Sequence, residues 1–238
     1  MSGLPPSRDA YGAILTDALE GREAFEIIER DDGVIWAGTP GDYFAPHRRW
    51  PAVERRALRA ARGRVLDIGC GAGRVSLHLQ GRGLEVVAVD ESPGAVDVAR
   101  RRGVRDARVV PLARVGRSLG TFDTILVLRN NFGLAGARRA PAVLRRLARV
   151  ARPGAVMVTD SVDPRRLEHQ KLRADGSAAP RIRVRWRERA TPWFTYLMLP
   201  PELMEAAARE GGWRVRRLID DGSPRYAVLL ERASSPTA

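Results

Sequence analysis

Apolar residues along the chain alternate between helical spacing and short unbroken runs, the pattern that builds a sheet with connecting helices. Tyr11, Ile14, Leu15, Ala18 and Leu19 fall on one side of a short helix that Gly21 would stop. Phe25 to Trp36 predicts a small hairpin turning at Asp32-Gly33, and Asp42 to His47 then leads into a helix whose apolar side is Trp50, Val53, Ala57 and Ala61. Val65, Leu66 and Ile68 form a buried-strand run, followed by a helix through Val75, Leu77 and Leu79 up to Gly81. Val86 to Val89 is a second run closed by Asp90, and Pro93 opens a helix through Val96, Val98 and Ala99 to Arg102. Further strands are expected at Arg108-Val109-Val110 and Phe122 to Leu128. A helix from Arg138 to Arg152, with Val143, Leu144, Leu147 and Val150 inward, then leads through Pro153-Gly154 into a fifth strand at Ala155 to Asp160. A helix at Pro201 to Glu210 and strands at Trp213 to Ile219 and Arg225 to Leu230 close the chain.

Roughly forty residues separate the fifth strand from the helix at Pro201, far more than a connection needs. They predict a helix around Leu167-Glu168-His169-Gln170 and two strand-like runs at 181–189 and 193–199. In the first run every second residue is arginine, so a strand there would set Arg181, Arg183, Arg185, Arg187 and Arg189 on one face and Ile182, Val184 and Trp186 on the other. Its expected partner is Trp193 to Leu199, joined through Ala190-Thr191-Pro192. Two readings stay open: a solvated edge strand whose charges discourage aggregation, or a wall over an acceptor pocket. In the second, Trp186, Trp193, Phe194 or Tyr196 would touch substrate and arginines such as Arg185 would draw an acidic one.

The densest chemical signal is Val65-Leu66-Asp67-Ile68-Gly69-Cys70-Gly71-Ala72-Gly73. A strand that turns this sharply into a helix needs residues without Cβ, both for unusual backbone angles and to let a ligand lie against the main chain. The helix start then offers free N–H groups. A dinucleotide is disfavoured, because the third glycine of that fingerprint would stand where the chain has Arg74. Asp67 also suits a cationic ligand better than a pyrophosphate. Asp90, at the tip of the second strand, is placed to accept hydrogen bonds from both hydroxyls of a ribose.

This pattern closely resembles motif I of the class I S-adenosylmethionine-dependent methyltransferases, and Asp90-Glu91-Ser92-Pro93 resembles the family's ribose-binding segment. The resemblance covers roughly 50–160 and 200–232 and leaves 163–199 outside it. It implies an α/β fold with a Rossmann-like seven-stranded, mostly parallel sheet and helices on both faces. An antiparallel seventh strand would insert between the fifth and sixth, with the extra β-hairpin after strand five. It also implies S-adenosyl-L-methionine as cofactor, held by Asp67, Gly69, Cys70, Gly71, Gly73, Asp90 and Glu91. The family commonly brings an acid to the adenine at the end of the third strand; this chain lacks one, so main-chain groups of Leu112 and Ala113 are expected there. Arg129 and Asn130, just past the fourth strand, are expected at the cofactor and Phe132 at the acceptor. The family's amino-terminal segment often lies over the cofactor, which makes Tyr43, Phe44 and His47 pocket candidates.

At 238 residues the chain suits one methyltransferase domain, with 1–49 as an amino-terminal cap and 163–199 as a wall or lid. No apolar run approaches the roughly 18 residues of a membrane span and Met1 to Ala10 lacks a signal-peptide core, so a cytoplasmic protein is expected. Cys70 is the only cysteine, which excludes an intrachain disulfide or a cysteine zinc site. A net charge of +13 suggests an anionic partner, yet Lys171 is the sole lysine against forty arginines, a skew that looks like coding bias.

Methyl transfer needs a nucleophile aligned behind the methyl carbon in a site that excludes water, and positioning supplies much of the acceleration. A hydroxyl acceptor would favour a general base, for which His169 and His47 are candidates, with Asn130 and Asn131 as orienting groups. Arg129-Asn130-Asn131-Phe132 does not match the Asn/Asp-Pro-Pro-Tyr/Phe motif of DNA amino-methyltransferases. One lysine cannot build a Lys-Asp-Lys-Glu tetrad, Cys70 is committed to the loop, and of the two carboxylates of metal-assisted catechol methylation only Asp160 has a counterpart, so no metal is expected. Three readings follow: transfer to an O or N atom of a small molecule or peptide, in secondary metabolism; an RNA methyltransferase; or a cofactor-binding protein without catalysis.

Overall fold

The computed structural model describes residues 3–136, 139–168 and 170–232. In chain order it contains α1 (Ala10–Leu19), β1 (Glu26–Arg30), β2 (Ile35–Gly38), α2 (Gly41–Phe44), α3 (Ala52–Ala57), β3 (Arg64–Ile68), α4 (Arg74–Gly81), β4 (Glu85–Asp90), α5 (Pro93–Arg101) and β5 (Ala107–Val109). It continues with β6 (Phe122–Val127), α6 (Ala140–Ala148), β7 (Ala151–Val162), β8 (Arg181–Trp186), β9 (Arg189–Ala190), β10 (Phe194–Thr195), α7 (Pro201–Glu210), β11 (Trp213–Ile219) and β12 (Arg225–Arg232).

The main sheet has the order β11-β12-β7-β6-β3-β4-β5. β4 with β5 and β6 with β7 run parallel, whereas β12 is antiparallel to both β7 and β11. The seventh strand therefore lies between the fifth and sixth, as the family resemblance implied. Strands covered on both faces read as unbroken apolar runs, and Ile125, Leu126 and Val127 of β6 are indeed wholly buried. The chain packs as two compact units, one made of the chain up to Trp50, Asp67–Leu112 and Pro180–Thr195, the other of Pro51–Leu66, Ala113–Ala179 and the chain from Tyr196 onward.

In the first unit the amino-terminal hairpin and the inserted strands form a second sheet, ordered β10-β8-β1-β2 with β9 paired to β8. β8 therefore has neighbours on both sides: Ile28 opposes Val184, and Phe194 opposes Ile182. This overturns both the edge-strand reading and the long 181–189 strand. β8 stops at Trp186, Arg187 turns with φ 51°, and the chain doubles back so that Arg189 opposes Trp186. The expected partner at 193–199 shrinks to two residues, because Arg189 and Ala190 already pair with the Arg185–Trp186 end of β8. The arginines are also met by carboxylates: Glu29 accepts from Arg183 Nε and Nη2 at 2.8 and 2.9 Å and from Arg185 at 3.3 Å, and Arg187 pairs with Asp17 at 3.2 Å.

Two other expectations need correction. Leu167 is extended rather than helical; the chain makes only a 3-10 turn at Pro164–Arg166, capped by Asp163, whose side chain accepts from Arg165 N. His169 lies outside the described residues. The sixth helix ends at Ala148 instead of Arg152, because Phe122 N donates to Val150 O at 2.8 Å and the chain is by then already pairing with β6.

α1 packs against α5 through two glycines and one carboxylate. Asp9 accepts from Gly12 N at 2.9 Å, Ser92 Oγ at 2.7 Å and Gly94 N at 2.9 Å, so one buried side chain caps α1 and ties it to the start of α5. A Cβ on Gly94 would stand 2.8 Å from Gly12 Cα. Gly94→Ala should accordingly lower unfolding stability by about 1–3 kcal/mol in urea titration. Gly38→Ala, with open space around it, should cost nothing measurable.

In the second unit, Trp213 is buried with its Nε1 donating to Leu144 O at 2.9 Å, which joins β11 to α6. Tyr226 donates to Leu199 O at 2.7 Å and so fixes the chain that enters α7.

Candidate active site

The loop between β3 and α4 sits at φ 73°, 52° and 74° for Gly69, Gly71 and Gly73, backbone that side chains rarely adopt. Gly69 N and Cys70 N both donate to Val89 O, at 2.8 and 3.1 Å, which ties the loop to the end of β4. A Cβ on Gly73 would come within 2.5 Å of Val104 Cγ2, so close packing as well as backbone angle demands glycine there. Asp67 is buried and its Oδ2 accepts from Ser76 Oγ at 2.6 Å. Burial, with Asp90 and Asp67 nearby, pushes the Cys70 thiol well up, which suits a small loop residue and not a nucleophile.

Asp90 closes β4 and is 8% exposed. Gly71 N donates to its Oδ2 and Ser92 N to its Oδ1, each at 2.9 Å. Burial nevertheless raises its carboxyl above the usual range, against these two bonds and with Asp9 adding to the rise. Each oxygen can accept a second donor, so a vicinal diol fits this carboxylate. Glu91 follows, its carbonyl accepting from Leu4 N at 3.2 Å. Leu112 and Ala113 stand in a 3-10 turn, Leu112–Arg114, just past β5. Val110 N donates to Asp90 O at 2.8 Å and holds the chain leading to that turn.

Above the glycines lie Tyr11 and Tyr43, edge to face with centroids 5.2 Å apart. Tyr11 Oη would be 3.2 Å and Tyr43 Cδ1 3.9 Å from a Cβ on Gly71. Burial pushes the Tyr11 phenol well up, and Tyr43, Glu26 and Asp90 add to it. Tyr43 Oη donates to the Glu26 carboxylate at 3.1 Å. Arg102 donates to Ala72 O and lies 4.8 Å over the Phe44 ring. Tyr43 and Phe44 are thus beside the loop. Tyr11, Glu26 and Arg102 join them without having been singled out, since in sequence they read as a core position, a strand residue and a surface cation.

A strand ending in three left-handed glycines, a helix start behind them and a buried acid at the tip of the next strand suit a nucleoside. The "Methyltransferase domain" family model matches residues 65–154, this same stretch. A SAM-dependent methyltransferase from Bacteroides fragilis, solved with S-adenosyl-L-homocysteine, superposes with a TM-score of 0.85 at 30% identity, covering 98% of both chains. The chain belongs to the S-adenosylmethionine-dependent methyltransferases. It is also 28% identical to a ubiquinone biosynthesis O-methyltransferase of Methylocella silvestris over 77% of this chain and 73% of that protein. With a cypemycin N-terminal methyltransferase of a Streptomyces species it shares 36% identity, over 48% of this chain and 46% of that one. The chain spans about half the length of this and several other curated relatives it matches. The methyltransferase uses S-adenosylmethionine, and the glycine cradle with Asp90 fits its ribose.

The other expected residues have the following surroundings. His47 stacks on His78 with centroids 4.0 Å apart, and Trp50 stands edge-on to both. Burial, then His47 and Arg82, lower the His78 pKa. A histidine lowered in the folded state contributes stability that is full above the unfolded value and lost as the pH falls below it. Stability should therefore decline below about pH 6.5, and His78→Gln should flatten that part of the curve in thermal melts. Arg185 is exposed and engaged by Glu29, and Arg183 Cζ lies 4.6 Å over the centre of the Trp193 ring.

In the second unit Arg129 and Asn130 follow β6 at φ 62° and 59°. Asn130 is wholly buried: its N donates to Asp160 Oδ1 at 2.6 Å, its Nδ2 to Leu197 O at 3.0 Å, and its Oδ1 accepts from Ser161 Oγ at 3.1 Å. Arg225 Nη1 donates to Asp160 Oδ2 at 2.9 Å. Tyr196 lies against Asn130, its phenol raised mainly by burial. Asn131 is half-buried and Phe132 buried in the turn that follows, where Leu197 N donates to Gly133 O at 3.0 Å.

Proposed function

We propose that this methyltransferase acts in the cytoplasm on an O or N atom of a small molecule or peptide in secondary metabolism. The observation that carries this reading is the pairing of the arginine run. Glu29 engages Arg183 and Arg185, and Asp17 engages Arg187, so three of the five arginines are met by the chain's own carboxylates, which lessens their pull on the phosphates of a nucleic acid. The names of the two curated relatives above, one a ubiquinone biosynthesis O-methyltransferase and one a cypemycin N-terminal methyltransferase, support the same acceptor range.

When bound, the cofactor supplies an electrophilic methyl group on a positively charged sulfur. In this reading Asp90 holds the ribose hydroxyls, the N–H groups of the glycine loop face the cofactor, and the Tyr11 and Tyr43 rings exclude water. Tyr196, Asn131 and Phe132, at the turn past β6, serve the acceptor, and the segment 163–199 acts as its wall.

The test is product analysis by mass spectrometry after incubation with S-adenosylmethionine and separate panels of phenols, carboxylic acids, amines, short peptides and transfer RNA. A methylated small molecule or peptide supports the proposal. Methylation of RNA alone would move it to nucleic acid, and cofactor binding with no methylated product in any panel would favour a protein without catalysis.

A further inference from the structure

β2 is the outer strand of the second sheet, and all four of its residues are exposed. Its inner edge is taken by β1. Arg30 N donates to Val34 O at 2.8 Å, which makes these two a hydrogen-bonded pair, and such pairs alternate along an antiparallel ladder. With Ile28 opposite Trp36 and Glu29 opposite Ile35, it is therefore Ile35 and Ala37 that turn N–H and C=O to the open edge. Among the described residues no strand pairs with them there. Val34, Ile35 and Trp36 are 40%, 63% and 43% exposed, and Phe25, just before β1, 37%. The other sheet edges are guarded: β5 and β10 are three and two residues long, and β11 carries Arg214, Arg216 and Arg217. No charged residue stands anywhere in 33–41.

We propose that β2 is a homodimer interface, in which the open edges of two copies pair antiparallel about Trp36. In that register Ile35 of one copy opposes Ala37 of the other, and every outward N–H and C=O of both strands finds a partner. The two Trp36 residues then face each other in the closer, non-hydrogen-bonded position, where aromatic pairs stabilise a sheet. Trp36 shares the sheet face of Ile28 and Val184, and Val184 packs with Ala10 and Ile14, so a second indole extends an apolar face already built. Arg30, which lies 5.4 Å over the Trp36 ring, is bound by Asp32 at 2.9 Å. A second copy is the occupant because the edge is its own complement. Residues 33–41 bring no charge to the contact from either side, whereas a chain of net charge +13 repels its like over much of its remaining surface. Such a pairing covers about 1,000 Å² in all, the lower end for a specific interface, so the dimer should be reversible.

Sedimentation velocity on the full chain at rising concentration tests this. Wild type should pass from 26.2 kDa to twice that mass, with a midpoint of roughly 10–100 µM. Ile35→Lys changes a side chain that is already exposed, and it should raise the midpoint about tenfold or more while the melting temperature holds. Ala37→Pro removes an outward N–H and no hydrogen bond to β1, and should weaken the dimer likewise. Should the proline variant fail to fold, Ile35→Lys decides alone. A wild type that stays monomeric up to about 500 µM would overturn the proposal. So would a dimer that Ile35→Lys leaves intact, since association would then use another surface, and so would growth past the dimer, because a two-fold pairing closes on itself.

Discussion

Asp90→Ala is expected to weaken S-adenosylmethionine binding at least tenfold in calorimetry. A hydrogen bond to a charged acceptor is worth roughly 1.5–3 kcal/mol, and a ribose diol would donate two of them to this carboxylate. The same oxygens also hold Gly71 N and Ser92 N at 2.9 Å, so alanine would loosen the loop too. Asp90→Asn keeps the shape but turns one of the oxygens that accept Gly71 N and Ser92 N into a donor, so it should lose affinity as well while lowering the melting temperature less than alanine does. Unchanged affinity in both variants would remove Asp90 from the site.

The glycine loop and the acid that closes β4 were legible because their information is local. Glycines at alternate positions, an unbroken apolar run before them and an acid at the end of the next run each report a backbone requirement that no distant residue can change. What failed was pairing at long range. Arg183 meets Glu29 across 154 residues, and nothing in an alternating arginine pattern says that another strand will bring it a carboxylate. The reversal at Arg187 was invisible for a related reason: arginine carries no signal for positive φ, so the pattern ran on through a turn. Tyr11 matched the apolar face of its helix correctly, yet that face turned out to cover Gly71 as well as the core. Asn130 read as a cofactor and orienting residue, and its part in holding the insertion went unseen because its partner, Leu197, lies 67 residues on, in the segment that the family resemblance does not cover.

That partner makes Asn130 a costly position to substitute in the second unit. Asn130→Ala removes the donor to Leu197 O and the acceptor for Ser161 Oγ in a wholly buried setting, and it leaves a Cβ at φ 59°. Unmet buried polar groups cost about 1–3 kcal/mol each and a left-handed alanine about 1 kcal/mol, so a loss of roughly 3 kcal/mol is expected in urea unfolding. Glycine loses the same hydrogen bonds but tolerates the backbone, and Asn130→Gly should be about 1 kcal/mol more stable than Asn130→Ala. Aspartate keeps the shape and tolerates αL, but replaces the amide donor to Leu197 O by an acceptor and adds charge beside Asp160, whose Oδ1 already takes Asn130 N at 2.6 Å. Asn130→Asp should therefore be the least stable of the three at neutral pH and should recover as the pH falls and the new carboxyl takes a proton. If glycine and alanine prove equal, the left-handed backbone contributes nothing; if aspartate matches wild type, the amide is not what joins the turn after β6 to the inserted segment.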